Sequence, residues 1–86
     1  MPRPSDHVIF TDLDGKEGVL VDLDTRQYFQ LNETASLIWR GLAKGTSIEQ
    51  IAREMTEIYE VTLEHAQASV EAAVARFSAH KLLDPS

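Results

Sequence analysis

The chain has 86 residues, no cysteine, 43% hydrophobic and 26% charged residues and a formal net charge of −6, and a sequence of this size carries one core, which excludes a multi-domain architecture. Lack of cysteine removes thiol catalysis, thiolate zinc sites and disulfides, and it fits a reducing compartment, so the cytoplasm is the expected location. No run approaches the roughly 18 apolar residues of a membrane span, Met1 to Asp6 lacks a signal-peptide core, and 14 acidic against 8 basic residues argue against nucleic acid, whose binding needs a basic surface.

The first third reads as strands. His7 to Thr11 is a short β-prone run, and Asp14-Gly15 is the two-residue signal of a tight hairpin. From Glu17 to Leu23 the apolar side chains Val19, Val21 and Leu23 alternate with Leu20 and Asp22, the period of a half-buried strand with the valines inward. After a turn at Asp24-Thr25, Arg26 to Leu31 alternates again, with Gln27, Phe29 and Leu31 on one face and Arg26, Tyr28 and Gln30 on the other. A three-stranded antiparallel meander is expected.

Helices follow. Asn32 is an N-cap type with Glu33 behind it, Ala35, Ile38, Trp39 and Leu42 fall at helical spacing, and Gly41 and Gly45 read as the end. Thr46-Ser47-Ile48-Glu49 reads as a capping box for a second helix, along which Ile48, Ile51, Ala52, Met55, Ile58 and Tyr59 form one face. The third helix is expected from Thr62 to Lys81, with Leu63, Ala66, Val70, Ala73, Val74 and Phe77 as its apolar stripe and six alanines between Ala66 and Ala79 that make it slim. Leu82 and Leu83 should fold back on the core before Asp84-Pro85. A single domain over 1–86, with a core over about 7–83, is the expected organisation.

Chemistry is scarce. Asp12-Leu13-Asp14 and Asp22-Leu23-Asp24 resemble the nucleophile motif of haloacid-dehalogenase-like phosphatases, but that chemistry needs a parallel strand followed by a crossover helix, and here each motif is followed by another strand. Hairpin turns closed by aspartate side chains are the better reading. A calcium loop fails for want of its later oxygen ligands. His7, His65 and His80 lie on different elements with no i, i+4 pair, so no metal is expected. No serine has a base at a recognised spacing, and no glycine-rich phosphate loop follows a strand. The sequence therefore reads as non-catalytic, with no cofactor.

Binding remains. Arg26 to Leu31 is expected at a sheet edge with one charge, no proline and the aromatic pair Tyr28 and Phe29, and edges so little protected invite another strand. The occupant could be an extended peptide, a second copy of the chain, or the chain's own third helix. Beside that strand, the small side chains of the Ala-rich third helix would leave space for an added strand, with Val70, Val74 and Phe77 offering apolar contacts.

The run Val19-Leu20-Val21-Asp22-Leu23, then Tyr28-Phe29-Gln30-Leu31-Asn32-Glu33-Thr34-Ala35, then Ile38-Trp39, resembles the PqqD-like family of precursor-peptide recognition elements. The likeness runs over roughly residues 8 to 83 and is most specific at Leu31-Asn32-x-Thr34-Ala35 with Trp39. It implies an α+β, winged helix-turn-helix-like fold, a three-stranded antiparallel β-meander followed by three α-helices. It implies capture of the leader segment of a ribosomally made precursor peptide as an extra strand, on a surface formed here by Arg26, Gln27, Tyr28, Phe29, Gln30 and Leu31 with Val70, Ala73, Val74 and Phe77. A chain of this length looks most like the discrete recognition subunit of split lasso-peptide leader proteases, whose catalytic cysteine resides in a separate partner. Asp24-Thr25-Arg26-Gln27 departs from many relatives in lacking a glycine at the turn.

Three alternatives belong beside that reading. One is a chaperone for another peptide-modifying enzyme such as a radical SAM protein. Another is an accessory that stabilises its enzyme without binding peptide. A third is a DNA-binding winged helix, against which stand Glu64 and Glu71 on the third helix and acidic Asp12, Asp14 and Glu17 around the hairpin.

Overall fold

The computed structural model describes residues 3–84. Its elements in chain order are β1 (Arg3–Pro4), β2 (Val8–Asp12), β3 (Gly18–Asp22), β4 (Gln27–Leu31), α1 (Glu33–Ala43), α2 (Ile48–Ile58), α3 (Leu63–Ala79) and β5 (Leu83–Asp84). The α+β fold is the expected antiparallel meander β2-β3-β4 followed by three helices, with β4 at one edge. One addition was not foreseen: β1 and β5 pair as a separate antiparallel ribbon. Ser5 fastens it through its N–H to the Leu82 carbonyl (3.0 Å) and its hydroxyl to Asp84 (3.3 Å). Two-residue strands have no periodicity to read.

The facing of β3 is opposite to the expected one. Leu20 is 0% exposed, whereas Leu23 is 53% exposed and Val19 and Val21 are half-buried. The register explains the choice: Leu20 stands opposite Phe10 on β2 and Phe29 on β4, so one face carries a row of two phenylalanines around a leucine. That row packs on the helices. Val21, opposite Ile9 and Tyr28, lies on the open face of the sheet. Gly18 sits in the same core-facing series, and the Phe10 ring occupies the space where a side chain at position 18 would stand.

The aspartates of both hairpins act as turn residues. Asp12 accepts the Gly15 N–H (2.7 Å) and Asp14 those of Lys16 and Glu17 (3.0 and 2.9 Å). These two N–H bonds hold the Asp14 carboxyl below its ordinary pKa. The loop is longer than the expected two-residue turn, because Leu13 donates to the Glu17 carbonyl (3.0 Å) and leaves Asp14 to Lys16 between them, with Gly15 at φ 87.

Each helix starts on a side-chain cap: Asn32 to the Ala35 N–H, Ser47 to the Gln50 N–H, Thr62 to the His65 N–H. For α2 this shifts the cap from Thr46 to Ser47, one position later than expected, which puts Ile48 at the first helical position. Gly41 does not end α1 but lies within it, because Ile51 of α2 packs where a side chain would be. Gly45, at φ 80, ends α1 in the left-handed position that glycine favours, with the Thr46 N–H reaching back to the Gly41 carbonyl (2.9 Å). Lys81 plays the same role for α3 without being glycine: at φ 59 it lets Leu82 donate to the Phe77 carbonyl (2.9 Å). Leu82 is thereby turned into the core as expected, and Leu83 follows it.

The core joins Leu20 and Leu31 of the sheet to Ile38, Trp39 and Leu42 of α1, Ile51 and Met55 of α2, and Val70 and Phe77 of α3. Trp39 and Phe77 meet edge to face with centroids 5.2 Å apart, a geometry aromatic quadrupoles favour. At the far end Tyr59 donates to Glu33 (2.8 Å), tying the end of α2 to the start of α1. Burial, then that acceptor, push the Tyr59 hydroxyl above its usual pKa.

Candidate functional site: the groove between β4 and α3

The turn that launches β4 is built on Asp22. Its Oδ1 accepts the N–H groups of Asp24 (2.9 Å) and Thr25 (3.2 Å), and the Arg26 N–H donates to the Asp22 carbonyl (2.7 Å). Burial pushes the Asp22 carboxyl up, but the Thr25 and Asp24 N–H groups together with nearby His7 outweigh it and leave its pKa below the ordinary value. His7 stands 3.8 Å from both Asp22 and Asp24. These three groups therefore crowd one turn, and the Asp22 oxygen nearest His7 is already engaged by the backbone. Arg26 takes φ 60, the left-handed conformation that glycine adopts at lower cost. An arginine thus holds the left-handed position of this turn, where a glycine would sit without strain.

Beyond the turn, β4 runs along the sheet edge, and among the described residues no strand pairs with its free side. Its core-facing residues are Phe29, half-buried, and Leu31, buried; Tyr28 is 75% exposed, and Gln27 and Gln30 are also exposed. The expected facing of this strand is therefore observed. Between β4 and the C-terminal end of α3 lies a groove of about 340 Å³. Tyr28 to Leu31 form one wall; Arg76, Phe77, His80 and Leu82 form the other. The Phe29 and His80 rings touch across it, centroids 4.9 Å apart at a 54° tilt.

On the helix side the site differs from the expected one. Phe77 lines the groove, but Val70 is 0% exposed and must be corrected to a core residue lining neither groove. Val74 packs half-buried against the core and lines neither. Ala73 lines a neighbouring groove of about 340 Å³ between α1 and α3, with Asn32, Thr34, Ala35, Ile38, Ser69, Ala72 and Arg76. The apolar stripe of α3 goes mainly to the core, with Phe77 and Ala73 at its margin, so the exposed parts of the walls fall on the flanking positions 72, 76 and 80. Arg76 and His80 were missed for that reason, and Leu82, beyond the end of α3, because it was read as a core residue. The signal available was the i, i+4 pair Arg76 and His80, one position off the stripe.

Comparison with known proteins bears directly on this geometry. A family model described as coenzyme PQQ synthesis protein D (PqqD) matches residues 17–83. The chain belongs to the PqqD family. A comparison with curated proteins finds no match. Two solved structures resemble this PqqD-family chain over nearly its whole length. One is TbiB1 in complex with the TbiA(beta) leader peptide: 27% identity, TM-score 0.90, with 98% of this chain and 96% of that chain covered. The other is a lasso peptide synthetase B1 complexed with the leader peptide: 30% identity, TM-score 0.89, with 98% of each chain covered. Both neighbours are thus leader-peptide complexes. No helix of the described residues is long and apolar enough to cross a membrane.

Proposed function

We propose that this PqqD-family chain is a non-catalytic recognition element that binds the leader segment of a ribosomally synthesised precursor peptide and presents it to a separate maturation enzyme, a lasso-peptide leader protease. The observation that carries the reading is the free edge of β4 with a groove beside it. An extended peptide laid there gains backbone hydrogen bonds from the edge and side-chain pockets from the groove, the two ingredients of strand addition. The close likeness to two B1 proteins complexed with leader peptides supports the choice of occupant. Contacts are assigned to Gln27, Tyr28, Phe29, Gln30 and Leu31 on the strand and Phe77 on the helix, with Arg26 at the entrance.

An amide NMR titration with a synthetic leader peptide, taken from the precursor encoded beside the gene, tests this. Saturable shifts confined to Gln27–Leu31 and Arg76–Leu82 are expected. A leader that leaves these amides unmoved overturns the reading. Adding the candidate protease to the complex should then accelerate leader removal relative to peptide alone; equal rates would leave binding intact and refute presentation.

A further inference from the structure

Arg76 stands where the two grooves meet. It lines both the β4–α3 groove and the α1–α3 groove. Among the described residues neither groove is lined by an aspartate or a glutamate, in a chain with 14 acidic residues and a net charge of −6. The charged or chargeable nitrogen groups there are the Arg76 guanidinium and the His80 ring. Of the other arginines, Arg53 bonds Glu49 at 2.9 Å and Arg40 lies 3.9 Å from Asp12 and 3.4 Å from the Gly15 carbonyl, while Arg3 and Arg26 are exposed and line neither groove. Arg76 is exposed and makes no ion pair or side-chain hydrogen bond among the described residues. Its helical neighbours at three and four positions' distance are Ala72, Ala73, Ala79 and His80, so α3 offers it no intrahelical acid either.

A cation near a helix C-terminus also offsets the helix dipole. That role requires only a position in the last turns, and it accounts for neither the acid-free walls nor a location at the junction of two grooves. Resting on the proposed leader binding, we infer that Arg76 is a carboxylate-reading subsite, and that the peptide bound on β4 presents an Asp or Glu side chain to it, next to an apolar side chain seated among Phe29, Phe77 and His80. Guanidinium and carboxylate form paired, charge-assisted hydrogen bonds that a neutral amide reproduces poorly. In an added strand, side chains facing α3 recur every second residue. One helical turn from Arg76 to His80 rises about 6 Å, close to the roughly 6.6 Å spanned by two strand residues. The acid and the apolar anchor of the leader therefore lie an even number of positions apart, two by this match.

The test is a binding titration of the full chain with the synthetic leader of the precursor encoded beside the gene, repeated with each leader Asp or Glu changed to Asn or Gln. Arg76→Ala should weaken the unaltered leader about tenfold, as loss of one charge-assisted pair does, and lower the melting temperature by no more than the few degrees that an exposed helix-dipole cation contributes. One neutralised leader should bind the wild type equally weakly and be indifferent to Arg76→Ala. Arg76→Glu paired with a Lys at that leader position should regain affinity over either single change. Three results overturn the inference: Arg76→Ala binding the unaltered leader like the wild type, Arg76→Ala weakening every neutralised leader equally, or tight binding by a leader without Asp or Glu. Wild-type protein that shows no binding at all refutes the leader reading itself, which separates the two failures.

Discussion

Leu20→Ala and Val21→Ala form a matched pair on the central strand. Leu20 is 0% exposed and lies between Phe10 and Phe29. Removing its three outer carbons forfeits about 0.8 kcal/mol each in transfer free energy, and the cavity left between two rings brings the cost to about 3–4 kcal/mol. Val21, on the open face beside Ile9 and Tyr28, loses two half-hydrated carbons and some strand preference, about 1 kcal/mol. A domain of this size is stable by only about 4–13 kcal/mol, so the first change consumes a large part of the whole. Urea unfolding followed by the fluorescence of Trp39, the single tryptophan and 2% exposed, reads both variants. With a slope near 1 kcal/mol per molar, Leu20→Ala should lower the midpoint by about 3 M and Val21→Ala by about 1 M. Equal losses, or the reverse order, would refute the facing of β3 and with it the assignment of Phe29 to the groove side of β4.

Lys81→Gly should stabilise the protein by about 1 kcal/mol, since glycine accepts the φ of 59 without the side-chain clash; a loss of stability on thermal melting would show that the lysine side chain contributes more than the strain costs. Ser47→Ala should cost about 1 kcal/mol and Thr46→Ala clearly less, because Ser47 caps the Gln50 N–H; equal costs in urea would return the cap to Thr46. Asp22 makes a pH prediction of definite sign. Its folded pKa lies below the unfolded value, so its stabilisation is present above about pH 4 and is lost as pH falls through the folded value. Between pH 6 and pH 3 the wild-type urea midpoint should fall more steeply than that of Asp22→Asn, and parallel declines would remove Asp22 from the turn's energetics.

Much of this protein was legible in the linear order of its residues. Period-two runs, the Asn32 cap, the Gly45 stop and the helical spacing of Ile48 to Tyr59 are local signals, each resting on backbone geometry a few residues long. They determined three strands followed by three helices, and the third of those strands, with its scarcity of charge over Arg26 to Leu31, does lie at the sheet edge. The family resemblance was legible for the same reason, since its motif Leu31-Asn32-x-Thr34-Ala35 straddles one strand-to-helix junction.

Tertiary structure decided what depends on partners distant in sequence. Both faces of β3 are apolar, so only its placement between Phe10 and Phe29 could turn Leu20 inward. Gly41 reads as a stop until Ile51 is seen packed upon it, and β1 and β5 exist only because the two ends of the described chain meet. The groove shows the same limit. Apolar spacing along α3 identifies the stripe that the core buries, of which Phe77 also lines the groove, while Arg76 and His80 beside the stripe give no hydrophobic signal. Which flank becomes the wall follows from where β4 lies in space, and that is a property of the packed fold, not of the helix.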